Sequence, residues 1–228
     1  ERTFSCIYSC GFYRTHWYTC LRLAPFHKAQ FNMWNHKTPG IPDEEFFRTE
    51  DVPITKEEVR VIQISKGRLS EGDVVYDIGC GSGSITVEAG IQIGKSGKIY
   101  GIDIDKNAID LTRKNLEKFG ITNAELILSD AKNKIADLPM ADAIFVGGTG
   151  GDTRDIVSLC NAKLKPGARM VVGVILIETL YAVLDVIYKL GLSDIDVTQV
   201  TISKSKKTST GTMMLARNPV TIISATKT

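Results

Sequence analysis

The stretch YDIGCGSGSIT, residues 76–86, constrains the fold more than any other part of the sequence. A strand-like run precedes Gly79, Gly81 and Gly83, and a helix-like run follows them. Glycines between a strand and a helix allow a tight turn and let the backbone approach a ligand closely. Proteins that bind dinucleotides use the looser spacing G-x-G-x-x-G. The tighter spacing here, with Asp77 two residues before the first glycine, predicts a ligand-binding turn of another class.

Strand and helix patterns alternate five times along the body of the chain, and a hairpin closes it. Such units, joined by right-handed crossovers, build a parallel sheet that is covered on both faces. We therefore predict an α/β, Rossmann-like fold with a mostly parallel seven-stranded sheet, helices on both faces and a C-terminal antiparallel hairpin. The predicted strands are 73–78, 97–105, 124–130, 142–148 and 168–175, and the hairpin strands are 194–204 and 212–226.

Two helix boundaries carry local signals. Thr55 and Glu58 form the pattern T-x-x-E of a capping box, with Pro53 just upstream, so a helix is predicted to open there. This cap fully accounts for Thr55 without a ligand. The helix before the fifth strand is predicted to stop at the dipeptide 166–167, Pro-Gly.

Polar residues and glycines stand where the predicted strands end, which is where parallel sheets bind ligands. Asp103 ends the second strand, 20 residues after Gly83, and Asp130 ends the third. Four of the five residues 147–151, after the fourth strand, are glycine. Simpler interpretations stay open, because Asp103 could cap a helix, Asp130 could be a turn residue, and the first glycine segment could be only a tight connection.

The motif D-x-G-x-G-x-G at 77–83 resembles motif I of the class I S-adenosylmethionine (SAM) methyltransferases. The resemblance implies the class I methyltransferase fold for residues 33–228 and SAM as the methyl donor. It also implies that Asp103 accepts hydrogen bonds from the ribose hydroxyls and that the end of the third strand holds the adenine. The SAM-binding residues implied in this way are Thr55, Gly79, Cys80, Gly81, Ser82, Gly83, Asp103, Asp130 and Ala131.

A more specific resemblance covers about 195 of the 228 residues. The chain is similar to the decarboxylating cobalt-precorrin-6B C15-methyltransferases of anaerobic cobalamin biosynthesis and to the C-terminal half of the aerobic precorrin-6Y methylase. The resemblance implies methyl transfer from SAM to C15 of a corrinoid macrocycle, with loss of the carboxyl group of the acetate on C12. It further implies a homo-tetramer and functional pairing with a C5-methyltransferase. The matching segments are GIPDEEF, DIGCGSGSITVE, YGIDIDKNAI, VGGTGG, KLKPGARMVV, ILIET and GTMMLARNPV.

The acceptor side is less defined by the sequence. A corrinoid substrate carries several carboxylates, so Lys204 and Arg217 are candidates to bind them, beside a wall left open by Gly148 and Gly150. A solvated loop or a strand anchor accounts for these cations equally well. Glu178 and Arg217 are weak catalytic candidates, Glu178 also being explained as the start of a helix. No base is required, because an electron-rich macrocycle can supply the nucleophilic carbon and the protein can act by alignment.

Composition narrows the function classes. Residues 41–228 carry 23 basic and 25 acidic side chains, a poor match for a nucleic-acid backbone. The segment 147–151 also lacks the [DN]-P-P-[FY] pattern of enzymes that methylate amino groups. Methylation of RNA or protein is the alternative function, and a non-catalytic SAM-binding protein is a third. No apolar run is long enough to span a membrane and no secretory signal is evident, so the prediction is a cytoplasmic protein without a membrane partner.

Residues 1–32 differ from the rest and are predicted to be an irregular extension. They hold three of the five cysteines and two of the three histidines. A zinc site built from Cys6, Cys10, His16 and Cys20 is the alternative, but its spacing matches no specific ligand pattern. We therefore predict no metal site.

Overall fold

The computed structural model describes residues 34–228. The extension and its zinc alternative lie outside the described residues. None of the described helices is both long and apolar enough to cross a membrane. The strands are β1 (Val74–Ile78), β2 (Lys98–Asp103), β3 (Ala124–Leu128), β4 (Ala141–Val146), β5 (Leu164–Val174), β6 (Ser193–Val200), β7 (Ser203–Lys207), β8 (Thr212–Ala216) and β9 (Val220–Thr226). The helices are α1 (Glu57–Gly67), α2 (Ser84–Ile93), α3 (Lys106–Phe119), α4 (Ala131–Lys134), α5 (Thr153–Lys163) and α6 (Ile177–Lys189).

Seven strands form one sheet in the order β3-β2-β1-β4-β5-β9-β6. The pairs among β1 to β5 are parallel, whereas β9 runs antiparallel to both β5 and β6. The predicted Rossmann-like fold with a mostly parallel seven-stranded sheet and an antiparallel C-terminal pair is therefore confirmed.

Apolar side chains cover both faces of the sheet. On one face, Ile144 and Met170 pack with Val157 and Ile187 of α5 and α6. On the other face, the cluster joins strand residues to α1 and α2, with Phe145 among its members. Burial on both faces explains why these strands read as continuous apolar runs.

The C-terminal hairpin is more segmented than predicted. Instead of two long strands, it contains β6 and β9 in the main sheet, and β7 and β8 as a separate two-stranded ribbon. Lys204 lies within β7, paired with Leu215, and the turn at the tip is 208–211. The interpretation of Lys204 as part of a solvated loop was therefore wrong, because the basic segment forms a strand that pairs with the exposed apolar strand β8.

The predicted capping box at the start of α1 was also wrong. Lys56 is the N-cap residue, and no side chain of its own segment caps the helix. The cap comes from Asp43, whose Oδ1 accepts a hydrogen bond from the Glu57 amide at 2.9 Å. A local pattern could not reveal this, because the capping oxygen lies 14 residues upstream.

The boundary between α5 and β5 lies earlier than predicted. The helix ends at Lys163, and β5 begins at Leu164, which pairs with Ala141 of β4. The Pro-Gly pair at 166–167 therefore lies within an irregular part of β5, where the register of β4 and β5 shifts. Pairing with β4 ends the helix before the proline is reached.

Candidate functional site

A cavity of about 820 Å³ lies at the carboxyl ends of β1, β2, β4 and β5. This edge contains the switch point of the sheet, because β1 pairs with β2 on one side and with β4 on the other. Open α/β sheets bind ligands at such points. The volume is within the range of about 300–1,000 Å³ that is usual for small-molecule sites.

The first glycine segment forms one wall of the cavity. The amides of Gly79 and Cys80 donate to the carbonyl of Ile102 at 2.8 and 3.1 Å, which ties the turn to the end of β2. Gly79 has φ +70°, and a Cβ added there would lie 2.5 Å from the amide nitrogen of Gly148. The two glycine-rich segments therefore pack backbone to backbone, and this contact is what excludes a side chain at Gly79.

Asp103 lies at the end of β2 and lines the cavity. Its Oδ2 accepts a hydrogen bond from the Gly81 amide and its Oδ1 one from the Asp105 amide, each at 2.9 Å. Each carboxylate oxygen can accept a further hydrogen bond. Asp103 is therefore fixed in place by backbone donors while it faces the cavity. The cap of α3 is Asp105, which accepts from the Asn107 amide.

Ser82 and Gly83 lie on the far side of the turn, outside the cavity lining. A Cβ added at Gly83 would lie 2.5 Å from Cγ2 of Thr112, so this glycine lets α3 pack against the turn. The Ser82 carbonyl accepts a hydrogen bond from Asn115 at 2.8 Å. Gly79 and Gly83 are therefore needed for different reasons, Gly79 for the backbone contact with Gly148 and Gly83 for the packing of α3, as expected for glycine-rich binding turns.

Cys80 lines the cavity but is almost fully buried. Burial is the main cause that raises the pKa of its thiol, and the charges of Asp77 and Asp103 add to it. Its Sγ lies 3.8 Å from Oγ1 of Thr112. The thiol therefore stays neutral, as expected of a small apolar side chain and not of a nucleophile.

Asp130 and Ala131 stand at the start of α4 and line the cavity. Oδ1 of Asp130 accepts a hydrogen bond from the Lys132 amide at 2.9 Å. Asp130 thus caps a short helix, consistent with the simpler interpretation of this residue, while its location still allows a ligand contact.

Residues 40–56, which we call the strap, cross from α2 to the start of α1 and close one side of the cavity. Thr55 lines the cavity together with the adjacent residues 53, 54 and 56. The Pro53 carbonyl accepts a hydrogen bond from the Ser82 amide at 3.3 Å. A Cβ added at Gly81 would lie 2.9 Å from the same oxygen, so Gly81 is needed for this close approach.

A buried charge network anchors the strap. Arg60 is completely buried, and its Nε donates to Oε1 of Glu88 at 2.6 Å. Its Nη1 donates to Oδ1 of Asp43 at 3.3 Å and to the carbonyl of Thr55 at 2.5 Å, and Nη2 donates to the carbonyl of Ile41. Glu88 also accepts from the Ile41 amide at 2.9 Å. One guanidinium therefore fixes both ends of the strap, including the carbonyl of the cavity-lining Thr55.

Gly148 and Gly150 line the cavity from the end of β4. A Cβ added at Gly148 would make only an ordinary contact, at 3.9 Å from the Cα of Gly79, and one at Gly150 would meet no atom within 4 Å. The space above both residues is open. The second glycine segment therefore leaves room beside the first, as the sequence predicts.

Comparison with known proteins identifies the relatives of this fold and site. The family model described as a precorrin methyltransferase domain matches residues 45–227. The chain belongs to the precorrin methyltransferase family. A relative from Saccharolobus solfataricus, named probable cobalt-precorrin-6B C(15)-methyltransferase (decarboxylating), is 45% identical over 202 residues, covering 85% of this chain and 98% of the relative.

Solved structures agree with this assignment to the precorrin methyltransferases. A precorrin 8W decarboxylase from Methanobacterium thermoautotrophicum superposes with a TM-score of 0.77 at 35% identity, covering 81% of this chain and 98% of that one. A precorrin-6y C5,15-methyltransferase from Geobacter metallireducens gives a TM-score of 0.78 at 33% identity, with 83% and 98% covered.

The precorrin methyltransferase fold places Lys204 and Arg217 outside the cavity lining. Lys204 Nζ lies 3.0 Å from Oε2 of Glu57 and 2.6 Å from Oε1 of Glu58. Arg217 Nη1 lies 3.4 Å from Oε2 of Glu58 and 3.6 Å from Oδ2 of Asp43. Burial acts to raise the pKa of Glu58, but the hydrogen bond and charge of Lys204, with the charge of Arg217, lower it overall. Both cations thus pair with the start of α1, and their role as substrate ligands stays a prediction.

Glu178 lies in the first turn of α6, is exposed, and is not part of the cavity lining. This position agrees with the helix-start interpretation. Its role as a catalytic residue of this precorrin methyltransferase is a prediction without support from the cavity geometry.

Replacing Asp77 by asparagine is expected to change how stability depends on pH. Burial is the main cause that raises the pKa of Asp77 from 3.8 to about 7, the Thr86 hydroxyl at 2.5 Å opposes it, and the charge of Asp103 adds to it. Between about pH 4 and 7 the unfolded chain loses this proton while the folded chain keeps it, so stability falls as pH rises through that window. Each pKa unit corresponds to about 1.4 kcal/mol.

The Asp77→Asn protein keeps an oxygen for Thr86 and cannot ionise. Its Tm relative to the wild type should therefore rise steadily from pH 4 to pH 7 and stay level above, as measured by thermal unfolding without added cofactor. A Tm difference that does not vary with pH would show that Asp77 is not a perturbed carboxyl group.

Three polar residues at or near the cavity were not predicted from the sequence. Arg60 and Glu88 form the buried pair, and Gln63 projects from α1 into the cavity. The signal that could have identified Glu88 is a single carboxylate in the apolar helix segment ITVEAGI. Gln63 stands between Ile62 and Ile64 in the same way, as a polar residue in an apolar run.

Proposed function

We propose that this precorrin methyltransferase transfers a methyl group from SAM to a carbon of a corrinoid macrocycle. The acceptor carbon in the proposal is C15 of a cobalt-precorrin-6B/7-type ring, and the acetate on C12 loses its carboxyl group. The observation that carries the proposal is the packing of the two glycine-rich segments, with Gly79 against Gly148, at one end of a single large cavity. The names of the relatives supply the acceptor and the decarboxylation.

The cofactor end of the proposed site is acidic. Asp103, Asp105 and Asp130 all line the cavity there, beside the backbone of the first glycine segment. When bound, SAM supplies an electrophilic methyl group on a sulfonium cation. A carboxylate wall suits a cationic ligand, and Asp103 is already oriented by two backbone amides, so little reorganisation is needed to accept ribose hydroxyl hydrogens. We assign the cavity-lining members of the predicted set to SAM: Thr55, Gly79, Cys80, Gly81, Asp103, Asp130 and Ala131.

The acceptor end is formed by backbone and small or apolar side chains. Gly148 and Gly150 leave open space, and Ile175 and Leu176 at the end of β5 are exposed apolar residues on the same cavity. A wide, flat macrocycle needs both the open space beside the glycines and the apolar surface. The protein then accelerates the reaction mainly by holding carbon and methyl donor in line, and a dedicated base is not part of the proposal.

The assembly belongs to the same proposal. The family resemblance supports a homo-tetramer, a cytoplasmic location and functional pairing with a C5-methyltransferase. Size-exclusion chromatography with light scattering tests the first of these, and a monomer at micromolar concentration would contradict it.

Anaerobic incubation with SAM and cobalt-precorrin-6B tests the function. The expected product, identified by mass spectrometry, has gained one methyl group and lost one carbon dioxide.

The substitution Gly148→Val tests where the acceptor binds. It should retain SAM affinity and raise the KM for the acceptor by about 10- to 100-fold, because overpacking costs about 1–3 kcal/mol and each 1.4 kcal/mol is tenfold.

Two results would oppose the proposal. Unchanged cobalt-precorrin with the wild-type protein would refute the function itself. Equal losses of SAM affinity and acceptor affinity in Gly148→Val would refute the placement of the acceptor at the second glycine segment.

A further inference from the structure

The side chain of Gln63 is a buried polar group that faces the cavity. It is only 6% exposed and projects from α1 into the lining. Within residues 34–228 its amide makes no hydrogen bond to the protein, whereas the other buried polar side chain on this helix, Arg60, makes at least three. A ligand that covers this amide must supply a hydrogen bond, because leaving a buried polar group without a partner costs about 1–3 kcal/mol. A buried amide that faces a ligand cavity is therefore explained if the ligand supplies its partner.

The strand opposite Gln63 is shaped around this amide. A Cβ added at Gly173 of β5 would lie 2.1 Å from Nε2 of Gln63, so any side chain at that position would displace the amide. Gly173 has no positive φ that would demand glycine. The close approach of the amide accounts for the glycine at this point of a buried strand.

The part of the lining that α1 and β5 form carries no charged side chain. It consists of Val59 and Gln63 of α1 and of Gly173 and Val174 of β5. Elsewhere on the lining the charged groups are four aspartates and one lysine, Lys56, whose Nζ lies 3.9 Å from Oδ2 of Asp43. A carboxylate of the acceptor that enters this wall meets a neutral hydrogen-bond donor and apolar surface in place of an ion pair.

We propose that the Gln63 amide binds the carboxylate that the acceptor loses, as a neutral donor on the wall formed by α1 and β5. The inference rests on the proposed decarboxylating methyl transfer. A neutral donor can position the carboxylate without stabilising its charge as strongly as an ion pair. This matters because interactions that are stronger in the ground state than in the transition state slow the reaction, and the carboxylate charge disappears as carbon dioxide leaves.

The step balances without a further reactant. An electron pair of the ring forms the bond to the methyl carbon, and the sulfonium leaves as a neutral thioether. The ring then carries one positive charge. The C–C bond to the carboxylate breaks, its electron pair neutralises the ring through an exocyclic double bond, and carbon dioxide departs. A proton lost from the newly methylated carbon is matched by one gained at the methylene.

Gln63→Met tests this role, because methionine keeps the length and helix preference of glutamine and removes the donor. Methyl transfer and loss of carbon dioxide are measured separately by mass spectrometry of the product. We expect SAM affinity and Tm to match the wild type. We expect decarboxylation to slow by about 10- to 100-fold, because a carboxylate that the amide no longer positions leaves the reactive alignment, and methylated product that retains the carboxyl group should accumulate.

Gln63→Glu has the shape of glutamine and places a carboxylate against the acceptor carboxylate, so it should lose at least as much activity as Gln63→Met. The matched control is Gln92→Met on α2, away from the cavity, which should behave as the wild type.

Three results would contradict the inference. If the wild-type protein turns over and both Gln63 variants are as active, the inference is overturned and the proposed function stands. Equal loss of SAM affinity and of decarboxylation would overturn it in favour of a structural role. No turnover with the wild-type protein would instead refute the proposed function, and the inference with it.

Discussion

Replacing Arg60 by methionine is expected to lower the free energy of unfolding by about 3–5 kcal/mol, because removal of one partner leaves buried charges uncompensated. Arg60 is 0% exposed, and both carboxylates beside it, Asp43 and Glu88, are 1% exposed. The guanidinium also lies 4.8 Å from the ring centroid of Phe46 and donates to two strap carbonyls. Urea denaturation of the two proteins measures the difference.

Two further variants separate the causes. Arg113→Met removes an exposed ion pair with Asp110 and should cost less than about 1 kcal/mol, as surface pairs do. Glu88→Gln in the Arg60→Met background should recover part of the loss, since glutamine still accepts from the strap amide of Ile41 without a charge. If Arg60→Met were no more destabilising than Arg113→Met, the network would not be what holds the strap.

Replacing Gly79 by alanine is expected to impair both ends of the cavity at once. The added Cβ would lie 2.5 Å from the nitrogen and 2.8 Å from both the Cα and the oxygen of Gly148, so the two glycine-rich segments must separate. The positive φ costs about 1–2 kcal/mol, and the contact about 1–3 kcal/mol more. Calorimetric titration should show weaker SAM binding, and the KM for the corrinoid should rise in parallel.

Gly191→Ala is the matched control for the backbone term. Gly191 has φ +68°, close to the +70° of Gly79, and an added Cβ there meets no atom within 4 Å. Its destabilisation should therefore equal the dihedral cost alone, with ligand binding unchanged. Equal effects of the two substitutions would show that the packing of Gly79 against Gly148 contributes nothing.

The sequence predicts the parts of this structure whose causes are local. Gly79 and Gly81 with Asp77 mark a strand, a tight turn and a helix, and the alternation of patterns predicts the sheet. The polar residue at the end of β2, Asp103, follows from the rule that ligands lie at carboxyl ends of parallel strands. Each of these signals depends on neighbours within a few residues.

The parts that the sequence does not predict depend on contacts across long separations. Asp43 caps α1 from 14 residues upstream, and Arg60 and Glu88 meet across 28 residues. Thr55 carries the local pattern of a cap, yet the tertiary contact determines where the helix begins. Lys204 is likewise part of a basic segment that looks like a solvated turn, and only its pairing with Leu215 and its ion pairs with α1 show otherwise.

The strap also determines how much of the gene encodes a complete catalytic unit. The match to the family model begins at residue 45, but the amide of Gly40 donates to Glu88 at 3.0 Å and Asp43 caps α1. A gene fragment cut at residue 45 would encode a protein in which Arg60 and Glu88 have lost partners while every glycine of the cavity is intact. The shortest fragment that preserves these contacts starts upstream of residue 40, so a domain boundary taken from the family match alone would cut through the buried charge network of this enzyme.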